Sequence, residues 1–221
     1  MHEDQIFQNR VDAGRRLAPM LSEFRGTDAV VLGVPRGGVP VAFQVAGELS
    51  LPLDVIIVRK LGLPEQPEVA MGAIGEDGAR DFDDSFLARG WVSVDDVGGV
   101  EERERAELAA RIGRFRAPDA KADLRGRTAI VVDDGIATGA TMRVASRVAR
   151  ALGADCVITA VPVRPAGFRA ADADADALVS VLHPADLWAV GAYYRDFTQT
   201  TDDEVATLLE TARAQRLDEA P

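Results

Sequence analysis

The stretch AIVVDDGIATGAT, residues 129–141, places two neighbouring carboxylates directly before a loop of small residues. Asp133 and Asp134 end an apolar run, where two adjacent negative charges repel each other and are costly to remove from water. A fold retains such a pair most readily at an open edge where a ligand binds. Ionised carboxylates accept hydrogen bonds from sugar hydroxyls and also bind metal ions, so both ligand classes are candidates.

The loop after Asp134 has the composition of a phosphate-binding loop, because its small residues leave backbone N–H groups open and its threonines add hydroxyls. The loop residues are Gly135, Ile136, Ala137, Thr138, Gly139, Ala140 and Thr141. A helix predicted over 140–152 directs its positive N-terminus at the same point. Backbone amides for a phosphate, beside carboxylates for a diol, describe a ribose 5-phosphate site.

Other known loop types fit these residues less well. The stretch has no Gly-Lys-Ser/Thr, which excludes a Walker A loop, and its glycines do not follow the G-x-G-x-x-G dinucleotide pattern. A metal-dependent phosphohydrolase resembling the haloacid dehalogenases requires Asp-x-Asp, whereas Asp133 and Asp134 are adjacent. A purely structural turn, in which Thr138 caps the following helix, explains Thr138 but not the two aspartates.

The stretch 129–141 resembles the signature of the type I phosphoribosyltransferases, which bind phosphoribosyl diphosphate. An apolar strand, two acidic residues and a loop that ends T-G-x-T carry the resemblance. It implies that Asp133 and Asp134 hold the ribose 2′- and 3′-hydroxyls and that residues 135–141 surround the 5′-phosphate. Further stretches resemble a less characterised branch of this family: NRVDAGRRLA, VRKLGLP, AMGAIGEDG, DDGIATGATM and VGAYYRDFTQTTDDEV.

A second glycine loop, GVPRGGVPVA at 33–42, is by itself as typical of a tight turn as of a binding site. In type I phosphoribosyltransferases a short loop after the corresponding strand binds pyrophosphate. The resemblance assigns that role to Pro35, Arg36, Gly37 and Gly38. Bare amides beside one guanidinium suit a charged diphosphate leaving group.

Arg59 and Lys60 end the strand predicted at 54–60. A solvated strand end is one explanation of these two charges. The resemblance favours contacts with pyrophosphate, which also accounts for Lys60 in a chain whose only other lysine is Lys121.

The resemblance implies a Mg²⁺-dependent transferase of nucleotide metabolism. Displacement of pyrophosphate from the anomeric carbon has a transition state with oxocarbenium character and needs no protein nucleophile. The residues expected to assist it are Asp133, Asp134, Arg36 and Lys60. Mg²⁺ would be chelated mainly by diphosphate and ribose oxygens, with the two aspartates as the available carboxylates. A non-catalytic sensor of phosphoribosyl diphosphate is the alternative from another functional class.

The acceptor is the least specified part of this hypothesis. In the 6-oxopurine transferases an aspartate before the T-G-x-T faces the base, and Ala137 stands there in this chain. This departure argues against hypoxanthine or guanine and leaves adenine, a pyrimidine or a non-base acceptor open. The aromatic residues between 188 and 197 form either a small hood over the acceptor or part of the core. The residues expected to line the acceptor pocket are Val161, Pro162, Val163, Tyr193 and Tyr194.

The composition of the chain limits which ligands the protein can bind and in which compartment it is expected. A net charge of −11 and a pI near 4.7 disfavour a nucleic-acid interface, which needs a basic face. No apolar run approaches the roughly 20 residues of a membrane span, and the first residues are polar, without the apolar segment of a signal peptide. The single Cys156 can form no internal disulfide. These features predict a cytoplasmic protein with small-molecule ligands, and they leave a homodimer open.

Short β-rich runs alternate with helical patterns along the chain, which is typical of α/β proteins. We therefore expect one domain over 1–221 with a mostly parallel, Rossmann-like central sheet, flanking helices and a small hood. The predicted strands are 29–33, 54–60, 69–75, 128–132, 156–163, 177–182 and 187–194. The predicted helices are 11–24, 41–49, 93–115, 140–152 and 202–215.

Overall fold

In the computed structural model, which describes residues 6–115 and 121–219, strands and α-helices alternate along the chain. The strands are β1 (Val30–Gly33), β2 (Leu53–Val55), β3 (Val58–Leu63), β4 (Gln66–Gly75), β5 (Arg80–Phe82), β6 (Thr128–Val132), β7 (Cys156–Val163) and β8 (Ala177–Leu182). The α-helices are α1 (Arg10–Leu17), α2 (Gly38–Leu49), α3 (Ser85–Ala88), α4 (Val94–Phe115), α5 (Ala140–Ala151) and α6 (Asp202–Glu219).

The central sheet is parallel and has the strand order β2–β1–β6–β7–β8. Val30 of β1 lies opposite Ala129 of β6, and Thr128 of β6 lies opposite Cys156 of β7. The strands β1 and β6 are apolar and buried almost throughout, as expected for parallel strands that are covered on both faces. The predicted α/β class with a mostly parallel sheet is confirmed.

Alternate residues of the central strands face two separate apolar clusters. Val31 packs in the same cluster as Leu49 of α2 and Leu209 of α6. Its neighbour Val30 packs in a second cluster with Met142 of α5. Because successive side chains of a strand point to opposite faces, α2 and α6 cover one face of the sheet and α5 covers the other.

The strands β3, β4 and β5 form a separate antiparallel sheet. The prediction of one strand over 54–60 is therefore wrong. The chain leaves the parallel sheet after Val55 and enters the antiparallel sheet at Val58. Ile56 and Ile57 between them are each 2% exposed but belong to different clusters. The continuous apolar run conceals this change of sheet.

The stretch LWAVGAYY, 187–194, is not a strand, contrary to the prediction. Val190–Tyr193 is a short 3-10 helix, and an isolated bridge joins Phe7 to Tyr194. Tyr193 and Tyr194 are buried in a small cluster with Phe7. The apolar pattern of this stretch reflects packing in that cluster rather than pairing in a sheet.

The helix predicted over 11–24 is α-helical only as far as Leu17. The Asn9 side chain caps its N-terminus by accepting a hydrogen bond from the Asp12 N–H at 3.0 Å. The chain continues as a 3-10 helix over Ala18–Phe24. Pro19 explains the change, since it has no N–H for an α-helical hydrogen bond.

The long helix α4 buries one face and exposes most of its charged residues. Val97, Val100, Leu108 and Phe115 are buried against the rest of the protein. Within the two described ranges, no helix combines the length and the apolar character that are needed to cross a membrane.

Candidate functional site

The two glycine loops meet at the carboxyl edge of the parallel sheet. Gly33, the last residue of β1, lies opposite Val132, the last residue of β6. The Val34 N–H donates to the Val132 carbonyl oxygen at 2.9 Å. The loops that follow β1 and β6 therefore begin side by side, at the edge where open α/β sheets bind ligands.

Gly37 and Gly38 bring the first loop into contact with the two aspartates. A β-carbon on Gly37 would overlap the Asp134 carboxylate. A β-carbon on Gly38 would lie 2.5 Å from the Val132 carbonyl oxygen and 2.8 Å from Cα of Asp133. Glycine is needed at both positions because the two loops approach each other this closely.

Asp133 and Asp134 are half-buried at the carboxyl edge of the sheet. The Asp134 N–H donates to Oδ1 of Asp133 at 2.9 Å, and the Asp134 carboxylate forms an ion pair with Arg10 at 2.7 Å. Burial raises the pKa of Asp133 well above its ordinary 3.8, and the charge of Asp134 raises it further. Burial also raises the pKa of Asp134, while the guanidinium of Arg10 opposes that rise.

Arg10 is a site residue that sequence reasoning missed. Its guanidinium contacts Asp134, the Thr198 carbonyl oxygen and the ring of Phe197. The only signal for it was its place in NRVDAGRRLA, a stretch that carried the family resemblance without a role for any residue. Because Arg10 begins α1, the amino-terminal helix is part of the site.

The loop after Asp134 has the expected strand–loop–helix arrangement. α5 begins at Ala140 after Gly139, whose φ of 80° favours glycine and against which the ring of Phe168 packs. Ala137 and Thr138 are exposed, but Ile136 is 1% exposed and packs in the core. Ile136 is therefore a core residue within the loop, and its N–H donates to the Val163 carbonyl oxygen at 2.9 Å.

Thr138 does not cap the helix that follows it. The N-cap residue of α5 is Gly139, which makes no side-chain capping bond. The interpretation of this loop as an ordinary capped turn therefore loses the one residue that it explained. The exposed hydroxyl of Thr138 lies beside the N-terminus of α5, where an anion is stabilised.

Residues 2–196 match the family model of the phosphoribosyl transferase domain. The chain belongs to this family. It is 51% identical over 209 residues to Rv0571c of Mycobacterium tuberculosis strain H37Rv, which is named as a candidate phosphoribosyl transferase. The same identity holds for MT0597 of strain CDC 1551. The match covers 94% of this chain and 47% of each relative, so the chain spans about half the length of these curated relatives.

The crystal structure of TT1426 from Thermus thermophilus is similar to this chain over nearly its whole length. The TM-score is 0.82 and the sequence identity is 40%, with 92% of this chain and 97% of TT1426 covered. The combination of a parallel sheet with a separate antiparallel sheet is therefore found in a solved structure as well.

Arg36 lies in the first of the two loops and is exposed. The Pro35–Arg36 peptide bond is cis. The guanidinium of Arg36 is 3.8 Å from Oδ1 of Asp202, the first residue of α6, and Asp202 also pairs with Arg114 of α4. The helix α6 therefore contacts the predicted diphosphate loop, a contact that the sequence did not indicate.

Arg59 and Lys60 lie beside a cavity of about 320 Å³ that also borders the two loops. The cavity is lined by Val34, Pro35, Ile56, Ile57, Val58, Arg59, Lys60, Glu104, Arg111 and Thr141. Glu104 of α4 accepts a hydrogen bond from Nε of Arg59 at 2.7 Å. Lys60 is exposed, and among the described residues it has no ion-pair partner within 4.0 Å. Arg59 is thus already ion-paired, whereas the ammonium group of Lys60 is open to a ligand.

The residues expected to line an acceptor pocket are buried. Val161 and Val163 have no exposed surface, and Tyr193 and Tyr194 are 8% and 6% exposed. Pro162 is buried as well. The hydroxyl of Tyr194 donates to the Asp134 carbonyl oxygen at 2.6 Å. Tyr194 thus contacts the backbone of the acidic pair, and the predicted pocket is not an open surface in this structure.

A resident metal site of protein ligands alone is not formed by the described part of the chain. No group of three or more His, Cys, Asp and Glu side chains is placed there to hold an ion. The donor set suits a cation that takes most of its ligands from the substrate, with Asp133 and Asp134 as the nearby carboxylates.

Proposed function

We propose that this phosphoribosyl transferase binds phosphoribosyl diphosphate at the two loops and transfers ribose 5-phosphate to a nucleobase-like acceptor, releasing pyrophosphate. The observation that carries the proposal is the contact of Gly37 and Gly38 with Asp133 and Asp134. It places groups suited to a diphosphate against groups suited to a ribose. In phosphoribosyl diphosphate these two moieties share one bond, at the anomeric carbon.

Each part of the substrate has a matching set of protein groups. Apart from the amide of Ile136, which donates to the Val163 carbonyl oxygen, the backbone amides of 135–141 and the N-terminus of α5 suit the 5′-phosphate. Asp133 and Asp134 accept hydrogen bonds from the ribose 2′- and 3′-hydroxyls. Arg36, with the amides beside it, binds the diphosphate, and Lys60 provides a second cation for it.

The reaction breaks the bond between the anomeric carbon and the diphosphate oxygen while the acceptor nitrogen forms its bond on the opposite face. Positive charge develops on the ribose ring and negative charge on the leaving diphosphate. Arg36 and Lys60 stabilise the leaving group, and the half-buried aspartates fix the ring. Mg²⁺, when bound, would be held mainly by diphosphate and ribose oxygens, with Asp133 and Asp134 as the available carboxylates, and would neutralise part of the diphosphate charge.

The test uses the purified chain with Mg²⁺, phosphoribosyl diphosphate and a panel of purine and pyrimidine bases, with pyrophosphate release as the readout. Substrate binding is followed separately by thermal unfolding. Ligand at 100 times its Kd adds about 2.7 kcal/mol to the free energy of unfolding. For the variants Asp133→Asn and Asp134→Asn, the matched control is Asp155→Asn, which changes an exposed aspartate of another loop and should behave as wild type.

The outcomes separate the two functional classes. Binding together with acceptor-dependent release of pyrophosphate supports the transferase. Binding without release for any acceptor would favour the sensor instead. The absence of a thermal shift at millimolar phosphoribosyl diphosphate would contradict both.

A further inference from the structure

Arg10 makes more contacts with the site than a surface arginine would. Its Nε and Nη2 both donate to Oδ2 of Asp134, at 2.9 and 2.7 Å. Its Nη1 donates to the Thr198 carbonyl oxygen at 2.7 Å. The guanidinium carbon lies 4.0 Å from the centroid of the Phe197 ring, within the range of a cation–π contact. Its side chain is only 11% exposed.

These contacts hold the guanidinium from three directions. A group that is bonded at three of its nitrogens and stacked on a ring has one orientation rather than many. Arg10 also lies next to the first loop, because a β-carbon on Gly37 would be 3.3 Å from Nε of Arg10. The guanidinium therefore stands where the diphosphate loop, the acidic pair and the segment 197–198 meet.

The two oxygens of the Asp134 carboxylate differ in their hydrogen bonding. Oδ2 accepts both hydrogen bonds from Arg10. No other residue that the structure describes donates a hydrogen bond to Oδ1, so Oδ1 is the oxygen left for a ligand. The charge of Arg10 also balances one of two adjacent negative charges that are largely removed from water.

We propose that Arg10 is a positioning residue for ribose recognition: it fixes the Asp134 carboxylate so that Oδ1 faces the ribose hydroxyls of the substrate. The proposal rests on the function proposed above. Arg10 itself contacts no substrate atom in this assignment. Its removal should therefore weaken ligands that contain ribose and spare a ligand that contains only the diphosphate.

The first experiment measures the affinities of wild type and Arg10→Gln for three probes: phosphoribosyl diphosphate, ribose 5-phosphate and pyrophosphate, each with Mg²⁺. A hydrogen bond to a charged group corresponds to a factor of roughly 10 to 100 in affinity. Arg10→Gln should lose about that factor for the two ribose ligands and stay within about twofold for pyrophosphate. The matched control is Arg15→Gln, which removes an exposed arginine from the same helix.

The second experiment uses the cavity of about 520 Å³ that Arg10 lines together with Asn9, Gln44, Thr198 and Thr200, among others. Arg10→Ala should open the guanidinium position to this cavity. Millimolar guanidinium ions should then restore affinity for ribose 5-phosphate in Arg10→Ala and have no effect on wild type. A residue that only braced α1 would not be rescued in this selective way.

Arg10→Lys retains the positive charge but cannot donate from two nitrogens to Asp134 as arginine does. This variant serves as the test if Arg10→Gln fails to fold. It should lose ribose 5-phosphate affinity by about three- to tenfold, with pyrophosphate unaffected. If wild type binds phosphoribosyl diphosphate and the Arg10 variants bind ribose 5-phosphate equally well, or lose all three ligands alike, this proposal fails alone. If wild type binds none of the ligands, the proposed function fails with it.

Discussion

Glu104 of α4 holds Arg59 of β3 through one oxygen, which is 2.6 Å from Nη2 and 2.7 Å from Nε of the guanidinium. The pair lies at the wall of the cavity that also contains Lys60. Arg59, which the family resemblance assigns to pyrophosphate, is thus already ion-paired with a carboxylate of the protein. A ligand anion that binds Arg59 must therefore compete with Glu104.

Glu104→Gln should therefore strengthen pyrophosphate binding. The two side chains are 24% and 25% exposed, so water screens their interaction to about 1 kcal/mol or less. We expect a two- to fivefold lower Kd for pyrophosphate by titration calorimetry. Glu107→Gln, an exposed glutamate on the same helix, is the control and should not change the Kd. An unchanged or higher Kd for Glu104→Gln would show that Arg59 does not reach the diphosphate.

Arg36→Ala should separate the diphosphate from the ribose 5-phosphate. Since Arg36 is exposed and its contact with Asp202 is long at 3.8 Å, its removal should leave the fold intact. We expect pyrophosphate affinity to fall about tenfold or more and ribose 5-phosphate affinity to stay within about threefold. Asp202→Asn controls for the lost ion pair. Equal losses for both ligands would mean that the two loops have the opposite roles.

The ionisation of Asp133 should make the stability of the ligand-free protein depend on pH. Burial raises the pKa of Asp133 in the folded state above 3.8, so the fold keeps a proton that the unfolded chain releases. This contribution to stability is present below pH 3.8 and is lost as the pH rises through the higher folded-state pKa. Asn cannot titrate, so Asp133→Asn should gain stability relative to wild type between about pH 4.5 and 7.5.

Urea unfolding of both proteins at the two pH values checks this expectation, with Asp155→Asn as an exposed control. A stability difference that is the same at both pH values would show that Asp133 titrates normally in the fold.

Asp134→Asn should differ from Asp133→Asn in the ligand-free protein. It leaves the 11% exposed guanidinium of Arg10 without its carboxylate, which should lower the free energy of unfolding by about 1–3 kcal/mol. Both variants should lose roughly ten- to a hundredfold in affinity for ribose 5-phosphate. Thermal unfolding with and without ligand measures both effects. If Asp134→Asn loses stability but binds ribose 5-phosphate as wild type does, its carboxylate serves the fold alone.

Hypoxanthine and guanine should be poor acceptors. Ala137 is exposed in the loop and offers no carboxylate to a 6-oxopurine. The kcat/KM values for these two bases should be at least about tenfold below that of the best base in the panel, as expected for the loss of one charged hydrogen bond. Efficient turnover of either base would show that another residue supplies this contact.

Much of the fold could be predicted because the parallel strands are short, apolar and buried on both faces. β1, β6, β7 and β8 all fall within predicted strands. The change of sheet between Val55 and Val58 could not, because Ile56 and Ile57 continue the apolar pattern without a turn residue. The apolar pattern of a sequence indicates which residues are buried, and the residues on both sides of this change of sheet are buried.

The candidate site was predictable where its residues are local in sequence. The strand–loop–helix order places residues 134–141 at the sheet edge, as expected from the small residues and threonines. The ion pair of Arg10 with Asp134 spans 124 residues, and no local pattern at either end announces it. The burial of Val163 was missed for a related reason, since Val163 packs in one cluster with Tyr193, Tyr194 and Phe7, which is distant in sequence.

The hydrogen bond from Arg10 to the Thr198 carbonyl joins two points that are 188 residues apart in the chain. At about 5–20 residues per second, a ribosome needs roughly 10 to 40 s to extend the chain from one to the other. Throughout that interval Asp134 and both glycine loops are synthesised, while Arg10 still lacks Thr198 and Phe197. The nascent protein can therefore order Arg10 fully only once residues 197 and 198 have been synthesised, after all five strands of the sheet that carries the two loops.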